Sequence, residues 1–175
     1  LRWLRERFRR SMIAWIYVMT LVELSVVSWL DIKVKKISNL WLVINLFLSI
    51  GLRFIYPDLY PWEWASLLFP AGWIVVGFLL FLVGIMGAGD SKFLASLFLL
   101  IPLEQHSAMF EKVLYTTLVV GLMMLIFKIA KDFKKIKAYA FSTYWPGLRE
   151  SIRSSFSFAP VILLAWILLG VEFWM

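Results

Sequence analysis

The chain has 175 residues; 62% are hydrophobic, 18% aromatic and 17% charged. Soluble domains run at roughly 45–50% apolar and about 25% charged, so disordered, collagen-like and ordinary cytosolic enzyme classes are excluded. The absence of cysteine removes disulfides and Cys-based zinc or iron–sulfur sites, and the single histidine, His106, removes a two-histidine zinc site. No metal or cofactor is expected. The net charge of +7, from 18 Lys+Arg against 11 Asp+Glu, would suggest nucleic acid in a soluble protein. In a chain this apolar it points instead to a bilayer with anionic lipids, and no nucleic acid is expected as a partner.

A spanning helix needs roughly 20 mostly apolar residues. In chain order, a basic tail over 1–10 precedes Ser11–Leu30, Asn39–Tyr56, Trp62–Met86, Ser91–Pro102, Ala108–Ile129 and Phe156–Val171. The expected fold is therefore an all-α polytopic membrane protein, a bundle of six transmembrane helices forming one domain over 1–175. The fourth span is short. The polar stretch 131–155 reads as a loop resting partly on headgroups. A cleavable signal peptide is not expected, because Ser11–Leu30 is long for its apolar region and no A-x-A site follows. If the first connection is cytoplasmic, eleven Lys and Arg lie inside, while Arg53 and Lys112 lie outside with the five tail arginines. The loops favour that orientation and the tail opposes it. The loops are followed here, which places 131–155 in the cytoplasm and Asp58, Glu63, Glu104 and Glu111 outside. In either orientation the first and third connections share a face of the membrane.

Two carboxylates stand at apolar boundaries on that shared face. Asp31 ends the first span in Trp29-Leu30-Asp31-Ile32-Lys33, and Asp90 opens the fourth in Gly87-Ala88-Gly89-Asp90-Ser91-Lys92. One reading makes both interfacial residues, with Asp90 an N-cap at the positive end of its helix. The other makes them an aspartate pair. Two nearby carboxylates share a proton, so the ionised one can activate water while the protonated one polarises a carbonyl. That chemistry hydrolyses a peptide without metal, Ser or Cys. Gly87 and Gly89 would permit unusual backbone angles and close approach of an extended peptide, or simply form a flexible connection.

The segment Gly87-Ala88-Gly89-Asp90-Ser91-Lys92-Phe93-Leu94-Ala95 resembles the G-x-G-D-x-K-L-L-A segment of the type IV prepilin peptidases. Asp31-Ile32-Lys33-Val34-Lys35-Lys36-Ile37-Ser38-Asn39 is similar to that family's D-x-x-x-x-x-I-P-N, with Ser38 in place of proline. Ser157-Phe158-Ala159-Pro160 resembles its P-F-G-P. The resemblance spans nearly the whole chain. It implies a six-helix bundle with Asp31 and Asp90 as catalytic residues near the cytoplasmic surface of the plasma membrane. It also implies prepilins or pseudopilins as substrates, clipped just before their hydrophobic helix. Gly87, Gly89, Lys92 and Asn39 fall on motif positions that would place substrate. Without cysteine, and with only Ile32–Ser38 as first connection, the chain is similar to the compact, peptidase-only members of tight-adherence pili and archaeal preflagellins.

Other residues carry weaker signals. Glu23 lies inside the first span, about 80° around the helix from Asp31; a hydrogen-bonded place in the bundle is preferred to one on the substrate path. Asn39 would satisfy free amides at the start of the second span, and Asn45 would bond across helices. Gly77 and Gly84 would allow close helix packing. His106 reads as a loop residue in an outer turn. Lys92 is a positive-inside anchor, or else tunes the carboxylate or holds substrate; Lys33, Lys35 and Lys36 meet anionic lipid or an acidic part of the substrate. Trp29, Trp41, Trp62, Trp64 and Trp174 sit near span ends as interfacial belts. Two rivals remain: a transporter or scaffold using Glu23, Asp31 and Asp90, and a presenilin-like protease. The latter's first aspartate follows Tyr, whereas Leu30 precedes Asp31 here.

Overall fold

A computed structural model describes residues 2–83, 86–141 and 157–174. Among them are six α-helices and no strand: α1 (Arg2–Val34), α2 (Asn39–Ile55), α3 (Ala65–Val83), α4 (Ala88–Phe98), α5 (His106–Phe141) and α6 (Ala159–Trp174). A short 3₁₀ turn, Leu103–Gln105, leads into α5. Three stretches are long and apolar enough to cross a membrane: Met12–Val34, Ala65–Leu82 and Leu103–Lys131. Asn39–Ile55 and Ala159–Glu172 are shorter apolar helices. Large apolar side chains cover the outside, as along α3, where Leu68, Val75, Phe78 and Leu82 are all exposed. A soluble monomer does not expose so continuous an apolar surface.

The helices follow the expected spans, with corrections at their ends. α1 continues back through the basic tail to Arg2. It also runs past Leu30, so Asp31 is helical, and it ends where Lys35 adopts a left-handed φ of 53° and donates its N–H to Asp31 O at 2.8 Å. α2 is capped by Ser38, whose Oγ accepts from Leu40 N at 3.3 Å. Asn39, expected to supply that cap, is exposed in the helix's first turn. The stretch 131–155 is not loop throughout, because α5 continues unbroken to Phe141; Lys134, Lys135 and Lys137 therefore stand on helix. Gly84, Arg149, Arg153 and Phe156 lie outside the described residues.

α4 packs against α2 and α3, and α6 packs against α1 and α5. The two groups of three are joined mainly by side chains. Phe69 and Trp73 of α3 and Phe98 of α4 meet His106 and Phe110 of α5, with Phe69 5.4 Å from His106 and Trp73 5.6 Å from Phe110 between ring centres. Within the second group, Tyr17 stacks on Trp166 at 5.3 Å. Its hydroxyl donates to Trp166 O, and Trp166 Nε1 donates back to Tyr17 O at 3.2 Å.

The chain beyond α4 turns while still buried, and its carbonyls there find side chains. Arg53 Nη1 donates to Leu99 O at 3.4 Å, Tyr60 Oη to Leu100 O at 2.9 Å, and His106 Nε2 to Ile101 O at 3.0 Å. His106 is 2% exposed. It is thus a buried cap and no loop residue, and Arg53, at 6% exposed, is no surface charge.

Gly77 behaves as expected of a packing glycine: a Cβ there would collide with Ser91 of α4. Gly72, on the same helix, has open space around it. Gly77→Ala should therefore lower stability by about 1–3 kcal/mol, whereas Gly72→Ala should be neutral or stabilising by up to about 1 kcal/mol. Thermal unfolding of both variants in detergent checks this.

Candidate active site

Asp31 and Asp90 come from different helix groups, α1 and α4, and both are buried, at 4% and 8% exposed. Asp31 sits in the last turn of α1, facing the start of α6. Its Oδ2 accepts the N–H of Ala159 at 3.2 Å, and Phe158 N–H is a further donor. Ser157 Oγ also donates to Asp31 O at 3.3 Å. The Ser157–Pro160 segment thus serves as the seat of Asp31. Helix N-termini leave such amides unpaired within their own helix, and a carboxylate satisfies them.

Asp90 occupies the first turn of α4, ahead of that helix's apolar stretch. Gly87, and not Asp90, is the N-cap, with φ −75° and ψ 147°. Asp90 reaches back from the third helical position, and Gly87 N–H donates to its Oδ2 at 3.0 Å. A Cβ on Gly87 would stand 2.9 Å from that same oxygen, so a side chain there would make the carboxylate shift. Neither motif glycine uses a left-handed φ, which corrects the expectation of unusual backbone angles. Gly89 lies in ordinary contact with Ile37 O, 3.5 Å from where its Cβ would be. The α1–α2 connection therefore lies over the first turn of α4 and brings the two aspartates to one end of the bundle.

Burial, first of all, pushes the Asp90 carboxyl up to about 6 from its ordinary value of 3.8. The Gly87 N–H opposes this, and the charge of Asp31 adds to it. That last effect records the proximity of the two carboxylates. Lys92, two residues on, is exposed, as is Asn39. Sequence reading foresaw Asp31, Asp90, Gly87 and Gly89 at this end. It missed what Ser38, Phe158 and Ala159 do. The resemblance of 157–160 to a known motif was the signal for the last two.

An all-helical membrane protein with two buried carboxylates at one end is the frame of an intramembrane-sited aspartic protease. The sequence profile of the Type IV leader peptidase family matches residues 18–129, which include both aspartates. The chain belongs to that family and is an aspartic prepilin peptidase. No curated protein and no solved structure matches it. The matched region stops short of Ala159, so the seat of Asp31 lies outside it.

The raised pKa of Asp90 has a consequence for stability. Below its ordinary value of 3.8 both folded and unfolded chains hold the proton, and the group does not oppose folding. As pH rises toward about 6 the unfolded chain releases its proton first and stability falls; above that the loss is complete. Asp90→Asn cannot ionise, yet it still accepts from Gly87. It should raise stability at pH 7 by at most about 3 kcal/mol and leave it unchanged below pH 3.8. Melting temperatures of the two proteins across this range check the sign.

Proposed function

We propose that this peptidase crosses the membrane six times as a single domain and cleaves the leader from prepilins or pseudopilins at the cytoplasmic face, using Asp31 and Asp90 to activate water. The observation that carries the reading is the meeting of both buried aspartates at one end of the bundle, where the charge of Asp31 bears on Asp90. Two main-chain amides aim at Asp31 and one at Asp90. Amide donors favour the ionised form of a carboxylate. Asp31 is thus the base that takes a proton from water, and Asp90 the acid that hydrogen-bonds the scissile carbonyl. The proton returns to the leaving amine as the tetrahedral intermediate collapses, and one water molecule is consumed. The two groups titrate as a pair.

The short first connection and the lack of cysteine support the compact, peptidase-only branch. The plasma membrane is the site of action, and its anionic lipids are met by Lys33, Lys35 and Lys36. Gly87 and Gly89 shape the first turn of α4, and Lys92 and Asn39 present themselves to substrate or headgroups from beside it.

Asp31→Asn and Asp90→Asn should each abolish cleavage of a co-expressed prepilin while the protein remains inserted. Asn hydrogen-bonds but cannot exchange the proton, so either change removes one role. The double variant should be little worse than either single one, as for residues acting as a unit. Leader removal on a gel is the measurement, and substantial cleavage by either single variant would overturn the Asp31–Asp90 mechanism. Chelators should leave activity unchanged. Reporter fusions after Lys36 and within 131–155 should both report cytoplasm, with Asp58 outside; the reverse would mean that the arginine tail sets orientation.

A further inference from the structure

The pair of aspartates belongs to two helix groups, and the fold holds a second, deeper polar contact between those groups. Glu23 of α1 lies eight residues before Asp31, about 12 Å along the helix. Ser96 of α4 lies six residues after Asp90, about 9 Å along it. α1 runs toward the aspartate end and α4 away from it, so the two residues stand at similar depth. Asn45 of α2 lies between them and is 0% exposed. Its Nδ2 donates to Ser96 Oγ at 3.2 Å, and its side chain is also the hydrogen-bonding partner of the Glu23 carboxyl. Ser96 Oγ in turn donates to Phe93 O at 2.7 Å. Glu23 Oε1 and Asn45 Oδ1 are both buried without a partner among the described residues. A donor hydrogen at the Glu23 position would let that side chain serve Asn45 as donor as well as acceptor.

We infer that Glu23, Asn45 and Ser96 form a positioning cluster that sets the helix bearing Asp31 against the helix bearing Asp90. The inference rests on the aspartate reading above and assigns the cluster no contact with substrate. Asn45 is the keystone, because one amide reaches both partner helices. Interhelical hydrogen bonds of this type contribute modestly to folding in an apolar bundle, yet enough to select one spacing between helix groups whose backbones touch little elsewhere.

The test uses the full-length protein in detergent, with wild type, Glu23→Leu, Glu23→Gln, Asn45→Leu and Ser96→Ala compared. The chain has no cysteine, so Val34→Cys and Ala88→Cys, both at exposed positions, carry a pair of spin labels reporting the separation of α1 and α4. Glu23→Leu and Asn45→Leu should broaden or lengthen that distance and lower kcat for prepilin cleavage about tenfold, with KM within about twofold. Glu23→Gln can donate to Asn45 Oδ1 and accept from Nδ2, so it should match wild type in both measurements. Ser96→Ala, the mildest change, should fall between and serves if a leucine variant fails to insert. Unchanged distances and kcat in the disruptive variants would overturn the inference. So would a Glu23→Gln protein as impaired as Glu23→Leu, since the carboxylate itself would then be required. The label distances are independent of whether Asp31→Asn and Asp90→Asn abolish cleavage, so failure of the cluster and failure of the aspartate reading remain distinct.

Discussion

The architecture depends on how one short helix is held within the bundle. α4 has 11 residues and is about 16 Å long, roughly half the 30 Å hydrocarbon thickness. Its far end therefore falls among apolar side chains, where an unpaired carbonyl costs several kcal/mol. Arg53, Tyr60 and His106 remove that penalty at Leu99, Leu100 and Ile101 in turn. Each comes from a different stretch of chain: α2, the α2–α3 connection and the first residue of α5. Satisfying three carbonyls thus also fixes where those stretches sit. The opposite end of α4 is fixed by the bond between Gly87 and Asp90 and by Gly89 lying against Ile37. Asp90 is consequently presented by an element restrained at both termini, with Gly77 pressed against Ser91 along its flank.

Much of this was legible in the sequence, for a physical reason. Spans announce themselves through sustained apolarity, and parity alone puts Asp31 and Asp90 on one face. The motif around Asp90 and the spacing from Asp31 to Asn39 then point to the chemistry. Helix ends were less legible, because apolarity does not mark them. The hydropathy of 91–102 begins after Asp90, while the helix begins at Ala88; polar Asp90 belongs to it because its side chain ties back to Gly87. Asn39 looked like the cap of α2, but Ser38 takes that position with an extended backbone. Its φ of −70° is one that proline also adopts, so the exchange from the family's pattern preserves the turn and adds a side-chain bond. His106 and Arg53 were misplaced for a different reason. A polar residue between spans, like His106, or near the end of one, like Arg53, reads as exposed, and only the fold shows that buried carbonyls await it.

The division into two groups of three helices bears on how the two aspartates are held relative to each other. One group carries Asp90, the other Asp31. At the end away from the aspartates, the rings of Phe69, Trp73, Phe98, His106 and Phe110 interlock. Aromatic pairs of this kind contribute about 0.5–1.5 kcal/mol beyond the area they bury. That end is therefore a broad, apolar clasp. Toward the aspartates the buried apolar core continues through Val27, Ile37, Leu94 and Phe158, joined by the polar contact of Asn45 with Ser96 and by the short connection over Gly89.

The two carboxylates solve the problem of burial in the same way. Each turns to the amides at the start of a helix: Asp90 to Gly87 at the head of α4, Asp31 to Ala159 at the head of α6. A helix start supplies free N–H groups and the positive end of its dipole, without a mobile charged side chain. The same amides are oriented before substrate arrives. They hold negative charge on a buried carboxylate without a mobile side chain having to reorganise. Gly87 allows the approach at α4, where a Cβ would crowd the carboxylate oxygen. At α6 the donors come from Phe158 and Ala159, just before Pro160, which has no N–H to offer. The proline fits the first turn of a helix, and its missing donor leaves Asp31 held by the two amides ahead of it. The motif near the C-terminus, distant in sequence from either aspartate, is thereby part of the same electrostatic device.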